Sequence, residues 1–274
     1  MTRVADIIDG GFIMSHGWFR VATALFGTFG SVALALAGST PALAVANGTP
    51  VAEGQYRYAV KLTMTNIPRP DGSHYNSGCS AALIAPQWIL TAGHCFHDVN
   101  RNPVSGPVPY DTKATIGRTD DADTNGKVVD VVADYQSPTN DIAVARLASP
   151  VYGIRPLLPS SSAPTEGQVL RIAGWGALSD VNPAPATHLQ TGQVKVTTVT
   201  ETIVGVVGYL PLPTTSACLY DSGAPYFFEP EHGRPRLVSI ESNGPTCPHD
   251  KVETTARVDT IVPWLLTTMR DNRG

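Results

Sequence analysis

Charge is scarce in this chain. Only 15% of its 274 residues are Asp, Glu, Lys or Arg, against 42% hydrophobic, a balance that excludes a disordered chain and requires a buried core. Positive charge is thinner still. The 19 Lys and Arg against 23 Asp and Glu leave a net charge of −4, so there is no basic footprint and no nucleic acid is expected as a partner. There are only four cysteines, with no C-x-x-C and no paired-histidine spacing, which argues against a zinc site. Internal repeats and low-complexity tracts are absent. The length accommodates one large domain or two modest ones.

The N-terminus lacks a full membrane span. An uncharged stretch follows Arg20, from Val21 to Leu36, but it falls short of the roughly 20 apolar residues a spanning helix needs and is broken by Gly27 and Gly30. Ala42-Leu43-Ala44 supplies the small residues a signal peptidase prefers. Residues 1–44 are therefore expected to be a signal peptide, the protein secreted, and no membrane association retained after cleavage. An uncleaved anchor is the alternative. Asp6 and Asp9 are unusual in a leader, which makes Met14 a candidate start. Export permits disulfides, and four cysteines allow three pairings.

What the chain has in quantity is Val, Thr and Ala in short runs punctuated by 25 Gly and 23 Pro, the pattern of an all-β protein. Tyr58–Leu62, Lys127–Ala133, Asp141–Leu147, Gln168–Ala173 and Gln193–Val199 read as strands. Pro68–Ser77, Asn102–Asp111 and Pro159–Gly167 read as turn-rich linkers, and Thr260–Met269 as a helix with Trp264 and Leu265 packed back on the body. Strands of this length and spacing indicate a sandwich or barrel.

Three segments carry the chemistry. Thr91-Ala92-Gly93-His94-Cys95 is followed by Asn140-Asp141-Ile142-Ala143, and then by Tyr220-Asp221-Ser222-Gly223-Ala224-Pro225. Serine oxygen is a weak nucleophile until an imidazole takes its proton, and that imidazole needs a carboxylate to set its tautomer. His94, Asp141 and Ser222 supply the three groups; the other six histidines, His97 among them, read as surface or loop residues. An esterase of the α/β-hydrolase type is excluded, because Tyr220 and Ala224 stand where its Gly-x-Ser-x-Gly elbow needs glycines.

Together with Gly174-Trp175-Gly176, these motifs resemble the chymotrypsin/trypsin-like serine proteases over nearly everything from Val45 to Trp264. The resemblance implies two six-stranded antiparallel β-barrels with a cleft between them and a short C-terminal helix. It implies a protease domain at 45–274, with the first barrel at about 45–155, the second at about 156–258 and the helix at about 260–270. It further implies endopeptidase activity through an acyl-enzyme, with His94 as general base, Asp141 as its orienting carboxylate and Ser222 as nucleophile. The oxyanion would be held by the backbone N–H groups of Tyr220 and Ser222. Tyr220 replaces the family's usual glycine, and its side chain is expected to disfavour the required backbone geometry. Disulfides Cys79–Cys95 and Cys218–Cys247 follow from the same resemblance. So does an ion pair between Asp221 and a new N-terminal amine at Val45, with Ala46 as the competing cleavage point.

For specificity, the resemblance places Ser216 at the pocket floor, Ser242 and Gly244 on the substrate-binding segment, and Glu253 where a wall glycine is usual. Asn243 replaces an aromatic residue, and Glu241 adjoins the segment. Glu241 and Glu253 either face the pocket, drawing in a basic side chain or filling it, or are ordinary solvated acids. No cofactor or metal is expected. Asp121-x-Asp123-x-Asn125-Gly126 opens like a calcium loop, but position twelve is Val132, so a hairpin turn is the expectation. Expected partners are protein or peptide substrates and protein inhibitors, bound by a monomer. The alternative function is a protease-fold homologue that binds without cleaving.

Overall fold

The computed structural model describes residues 45–273. The expected signal peptide, its Ala42–Ala44 cleavage signal and the alternative start at Met14 lie outside these residues. The first barrel is built from β1 (Ala59–Pro68), β2 (His74–Ala85), β3 (Trp88–Thr91), β4 (Asp111–Ile116), β5 (Lys127–Gln136) and β6 (Ala143–Leu147). The second is built from β7 (Val169–Gly174), β8 (Gln190–Val199), β9 (Ile203–Leu210), β10 (Pro225–Phe228), β11 (Arg236–Asn243) and β12 (Glu253–Arg257). Every pairing within either ring is antiparallel. The first closes in the order β1-β2-β3-β6-β5-β4 and the second repeats it as β7-β8-β9-β12-β11-β10. The expected architecture of two six-stranded barrels is what the chain forms, and closure leaves no long free edge.

Period-two burial explains why these segments are strands. In β1, Val60, Leu62 and Met64 point inward while Lys61, Thr63 and Thr65 alternate with them; in β4, Thr112, Ala114 and Ile116 do the same. Each large apolar side chain so buried stabilises the fold by about 1.5–3 kcal/mol. The linker expected at Pro68–Ser77 is shorter than anticipated. His74–Ser77 is strand, and a tight turn at Arg69–Ser73 is closed by Arg69 N–H to Ser73 O and by Asp71 Oδ1, which accepts from Ser73. Polar residues there pair edge-on with β1, which composition alone hides. At the C-terminus, helix α1 (Val262–Asp271) buries Leu265 fully and packs Trp264 against the main core.

The barrels meet through side chains that sequence distance conceals. Tyr58 stands edge-on to Phe227, and Asn140 Nδ2 donates to Arg257 O at 2.7 Å. Both expected disulfides form, Cys79–Cys95 and Cys218–Cys247. Closing loops of 16 and 29 residues, each stabilises by about 3 kcal/mol on the chain-entropy model.

Candidate active site

His94 sits in a single 3-10 turn, Gly93–Cys95, just after β3, and the Cys79–Cys95 bridge ties that turn to β2. Only glycine fits at position 93, since a Cβ there would lie 2.5 Å from Gln136 Oε1 and 3.0 Å from Asp141 Oδ1. Gln136 Nε2 in turn donates to the carbonyls of Gly93 and Phe96. Asp141 lies just before β6. Its Oδ1 accepts the His94 backbone N–H at 2.8 Å, and its Oδ2 meets His94 Nδ1 at 2.7 Å. From the other barrel, Ser242 Oγ donates to the same Oδ2 at 2.6 Å, next to a bulge between β11 and β12. Burial alone would raise the Asp141 carboxyl. The His94 ring bond, the imidazole charge, Ser242 and the His94 backbone N–H together outweigh it and hold the carboxyl below its ordinary value. A donated Nδ1–H leaves Nε2 as the acceptor.

The serine loop is fastened to both barrels, through Ser80 on β2 of the first and Glu241 on β11 of the second. Ser222 O accepts the Ser80 N–H at 2.8 Å, and Gly223 N–H donates to Glu241 O at 2.8 Å. Gly223 has φ of +86°, and a Cβ there would fall 2.1 Å from both Ser80 O and Thr91 Oγ1. Ser222 is thus held next to the strand that leads into His94. Among the described residues no hydrogen bond joins Ser222 Oγ to His94 Nε2, a pair that commonly tightens only when substrate is bound. The N–H groups of Tyr220 and Ser222 donate to no acceptor among the described residues, which leaves both free for an oxyanion. Tyr220 does adopt the left-handed geometry expected of glycine, with φ of +74°, at a conformational cost of about 1–2 kcal/mol.

Asp221, beside Ser222, is fully buried. Its carboxylate accepts from Gly176 N–H at 2.8 Å, from Cys218 N–H at 3.0 Å and from the Val45 backbone N–H. The Gly174-Trp175-Gly176 motif has its cause here: a Cβ on either glycine would lie 2.0–2.2 Å from an Asp221 oxygen. Val45 packs into the second-barrel core, and Ser216 N–H donates to Ala46 O. Burial pushes Asp221 up to about 7, against the bonds from Gly176 and Cys218.

A cavity of about 320 Å³ opens beside Ser222. Ser242 and Gly244 line it, as does Glu241. Ser216 and Glu253 lie behind its wall instead. Ser216 is buried with its Oγ accepting the His249 N–H, and Glu253 accepts from Ala217 N–H and Tyr226 Oη. The reading of Glu241 and Glu253 as solvated acids is thereby corrected, for they are 4% and 2% exposed. Two of the histidines expected at the surface or in loops do lie in loops but are buried: His97, packed edge-on to Tyr110, and His249, beside Glu253. Tyr226 and His249 carried no signal in the sequence, because a tyrosine in an apolar run and a histidine after a proline look ordinary. The calcium-like turn spends its carboxylates internally. Asp123 Oδ2 accepts from Thr119 and Asp120 N–H, and Asp121 pairs with Lys61. Among the described residues no group of three His, Cys, Asp or Glu is placed to hold a metal.

Two like barrels with a His–Asp pair and a serine loop at their junction define the serine-protease double barrel. A family model described as Trypsin matches residues 45–265, and the chain belongs to that family. Among curated relatives, mouse transmembrane protease serine 11C is 29% identical over 74% of this chain and 48% of its own length. Rat transmembrane protease serine 9 is 28% identical over 70% of this chain and 19% of its own length. Mouse serine protease 56 is 26% identical over 81% and 38%. The chain therefore spans less than half the length of these relatives. Among the described residues, no helix is long and apolar enough to cross a membrane.

Proposed function

We propose that the chain is a secreted serine endopeptidase that hydrolyses peptide bonds through His94, Asp141 and Ser222. The observation that carries this reading is the 2.7 Å contact of His94 Nδ1 with Asp141 Oδ2, beside a serine loop that is hydrogen-bonded to the same barrel and leaves two backbone N–H groups free. In this reading His94 Nε2 takes the Ser222 proton as Oγ adds to the scissile carbonyl. The N–H groups of Tyr220 and Ser222 receive the oxyanion, and the proton passes to the leaving amine. Water then repeats the sequence on the acyl-enzyme.

The same proposal covers maturation. Removal of residues 1–44 exposes the Val45 amine, which pairs with Asp221 where the Val45 peptide N–H now donates. A new cation beside this buried carboxylate brings its proton affinity down and steadies the serine loop. No separate activation segment is then needed, and residues 45–274 work as a monomer on protein or peptide substrates. The test is to express the whole chain for export, determine the N-terminus of the recovered protein by mass spectrometry, and incubate it with a peptide library. The expected result is a chain beginning at Val45 that cleaves internal peptide bonds. A start at Asn47, too short to reach Asp221, contradicts the maturation scheme; a Val45 chain that cleaves nothing contradicts the activity.

A further inference from the structure

On the first barrel, two arginines share one tyrosine. The guanidinium of Arg69, in the turn between β1 and β2, lies 4.4 Å from the centre of the Tyr75 ring. Arg101 reaches the same residue from the loop that follows the His94 turn. Its Nη1 donates to Tyr75 Oη at 2.8 Å and to His97 Nε2 at 3.0 Å. Together with Val99 and Asn100, these side chains line a cavity of about 510 Å³.

Two positive charges so placed repel each other, since arginine stays charged in any protein. Neither guanidinium forms an ion pair among the described residues, and no acid lines the cavity. The acids of the two loops turn inward instead. Asp71 Oδ1 accepts from Ser73 N–H and Oγ, and Asp98 Oδ1 accepts from the N–H groups of Asn100 and Asn102. The hydrogen bonds also leave the same edge of both guanidiniums free. Arg101 uses Nη1 alone, and so does Arg69, toward Ser73 Oγ and His74 O. Nε and Nη2 of each meet no acceptor among the described residues, and these two nitrogens form the fork that takes a carboxylate through two parallel bonds. Arg101 moreover holds a left-handed backbone, with φ of +68°, so it is kept toward Tyr75 at a conformational cost.

The position of the cavity selects the part of a substrate that reaches it. Tyr75 and Ser80 share β2, and Ser80 N–H meets Ser222 O at 2.8 Å. The leaving amine takes its proton from His94, which the first barrel carries, so the chain beyond the cut passes over that barrel alongside β2. A strand rises about 3.3 Å per residue, and an extended substrate comes level with Tyr75 roughly five residues past the cut.

We propose that this cavity docks an acidic segment of the protein substrate, a glutamate or aspartate carboxylate gripped between Arg69 and Arg101 roughly three to five residues beyond the scissile bond. The place of the acid relative to the cut rests on the protease reading; the anion site does not.

Two measurements test this. The first is fluorescence anisotropy of a labelled Gly-Ser-Glu-Glu-Gly-Ser peptide with the chain beginning at Val45 and carrying Ser222→Ala, so that nothing is cut. It should bind about tenfold more tightly than its Gln counterpart, and less so as salt is added. Arg69→Gln and Arg101→Gln should each weaken binding about threefold and together erase the Glu preference, with the melting midpoint nearly unchanged. Arg155→Gln, at an exposed arginine elsewhere, should have no effect. The second is hydrolysis of peptides alike on the acyl side, with one Glu moved stepwise away from the cut. kcat/KM should peak with Glu at roughly the third to fifth residue, about three- to tenfold above Gln and mainly through KM. The double arginine variant should flatten that profile and cleave the Gln peptides as before. Equal binding of the Glu and Gln peptides overturns the proposal, as does equal weakening by Arg155→Gln, the mark of diffuse attraction. Dextran sulfate held through Arg69 and Arg101 where the Glu peptide is not overturns the peptide assignment. Hydrolysis with no preference for an acid past the cut sinks this proposal alone. Arginine-dependent binding of the Glu peptide, with neither hydrolysis nor fluorophosphonate labelling by the chain that keeps Ser222, sinks the protease reading alone.

Discussion

Both barrels run their six strands in one order, yet they bury different chemistry. The first is filled by residues such as Leu62, Met64, Leu83, Ile89, Leu90 and Ile116, with Asp134 as its one buried acid. The second buries Asp221, Glu241 and Glu253 together with Tyr226 and His249. The first barrel is thus an almost wholly apolar body, with His94 and Asp141 mounted at its edge. The second holds three acids in its interior, next to the cavity and the serine loop. Close packing and short hydrogen bonds fix geometry, whereas buried acids persist only where hydrogen bonds or protonation offset their desolvation.

The largest effect that separates the two roles is expected at the nucleophile. Ser222→Ala should lower peptide hydrolysis by about 10⁴- to 10⁶-fold while leaving the melting midpoint nearly unchanged, since the serine hydroxyl holds no part of either barrel together. Steady-state rates and calorimetry on one preparation check both. A smaller loss is expected at Gly176. A Cβ there lies 2.2 Å from the Asp221 carboxylate, so Gly176→Ala should destabilise the second barrel by about 1–3 kcal/mol in a denaturant melt and reduce activity with it.

At Tyr220, with its φ of +74°, a glycine should raise the melting midpoint slightly, by relief of about 1 kcal/mol of left-handed strain. A β-branched Tyr220→Val should lower midpoint and kcat together. Unchanged activity in both variants would show that this backbone N–H does not hold the oxyanion.

A further contrast concerns pH and the first barrel. Burial pushes Asp134 from the ordinary 3.8 up to about 7, with the Gln136 bond opposing. The folded chain thus holds a proton that the unfolded chain has released, so stability falls as pH rises from about 4 to 7. Asp134→Asn should flatten the dependence of Tm on pH across that window. The uncleaved chain should show a steeper fall than the chain beginning at Val45, because Asp221 adds a term of the same sign until the amine pairs with it.

Much of this was legible in the residues. The His94, Asp141 and Ser222 segments signal themselves because close backbone approach favours glycine at 93 and 223, and glycine beside a histidine or a serine is a readable pattern. Gly174 and Gly176 were readable for the same reason, although their cause, the Asp221 carboxylate, lies 45 residues away from Gly176. The strands with clean period-two alternation, such as β1, stood out; the polar start of β2 did not, because its stability comes from pairing with β1. The acid pair was half visible. Glu241 and Glu253 drew notice as residues at odd positions, but their burial depends on Tyr226, which bridges them from a different strand. A residue's charge state is a property of its neighbours in space, and sequence proximity carries none of that.

The most direct test of the central claim is to react the purified chain beginning at Val45 with a fluorophosphonate and locate the adduct by mass spectrometry. The account predicts stoichiometric labelling at Ser222 that disappears in His94→Ala. A folded, correctly processed chain that takes up no label would contradict it, and would make this a protease-fold protein that binds without cleaving.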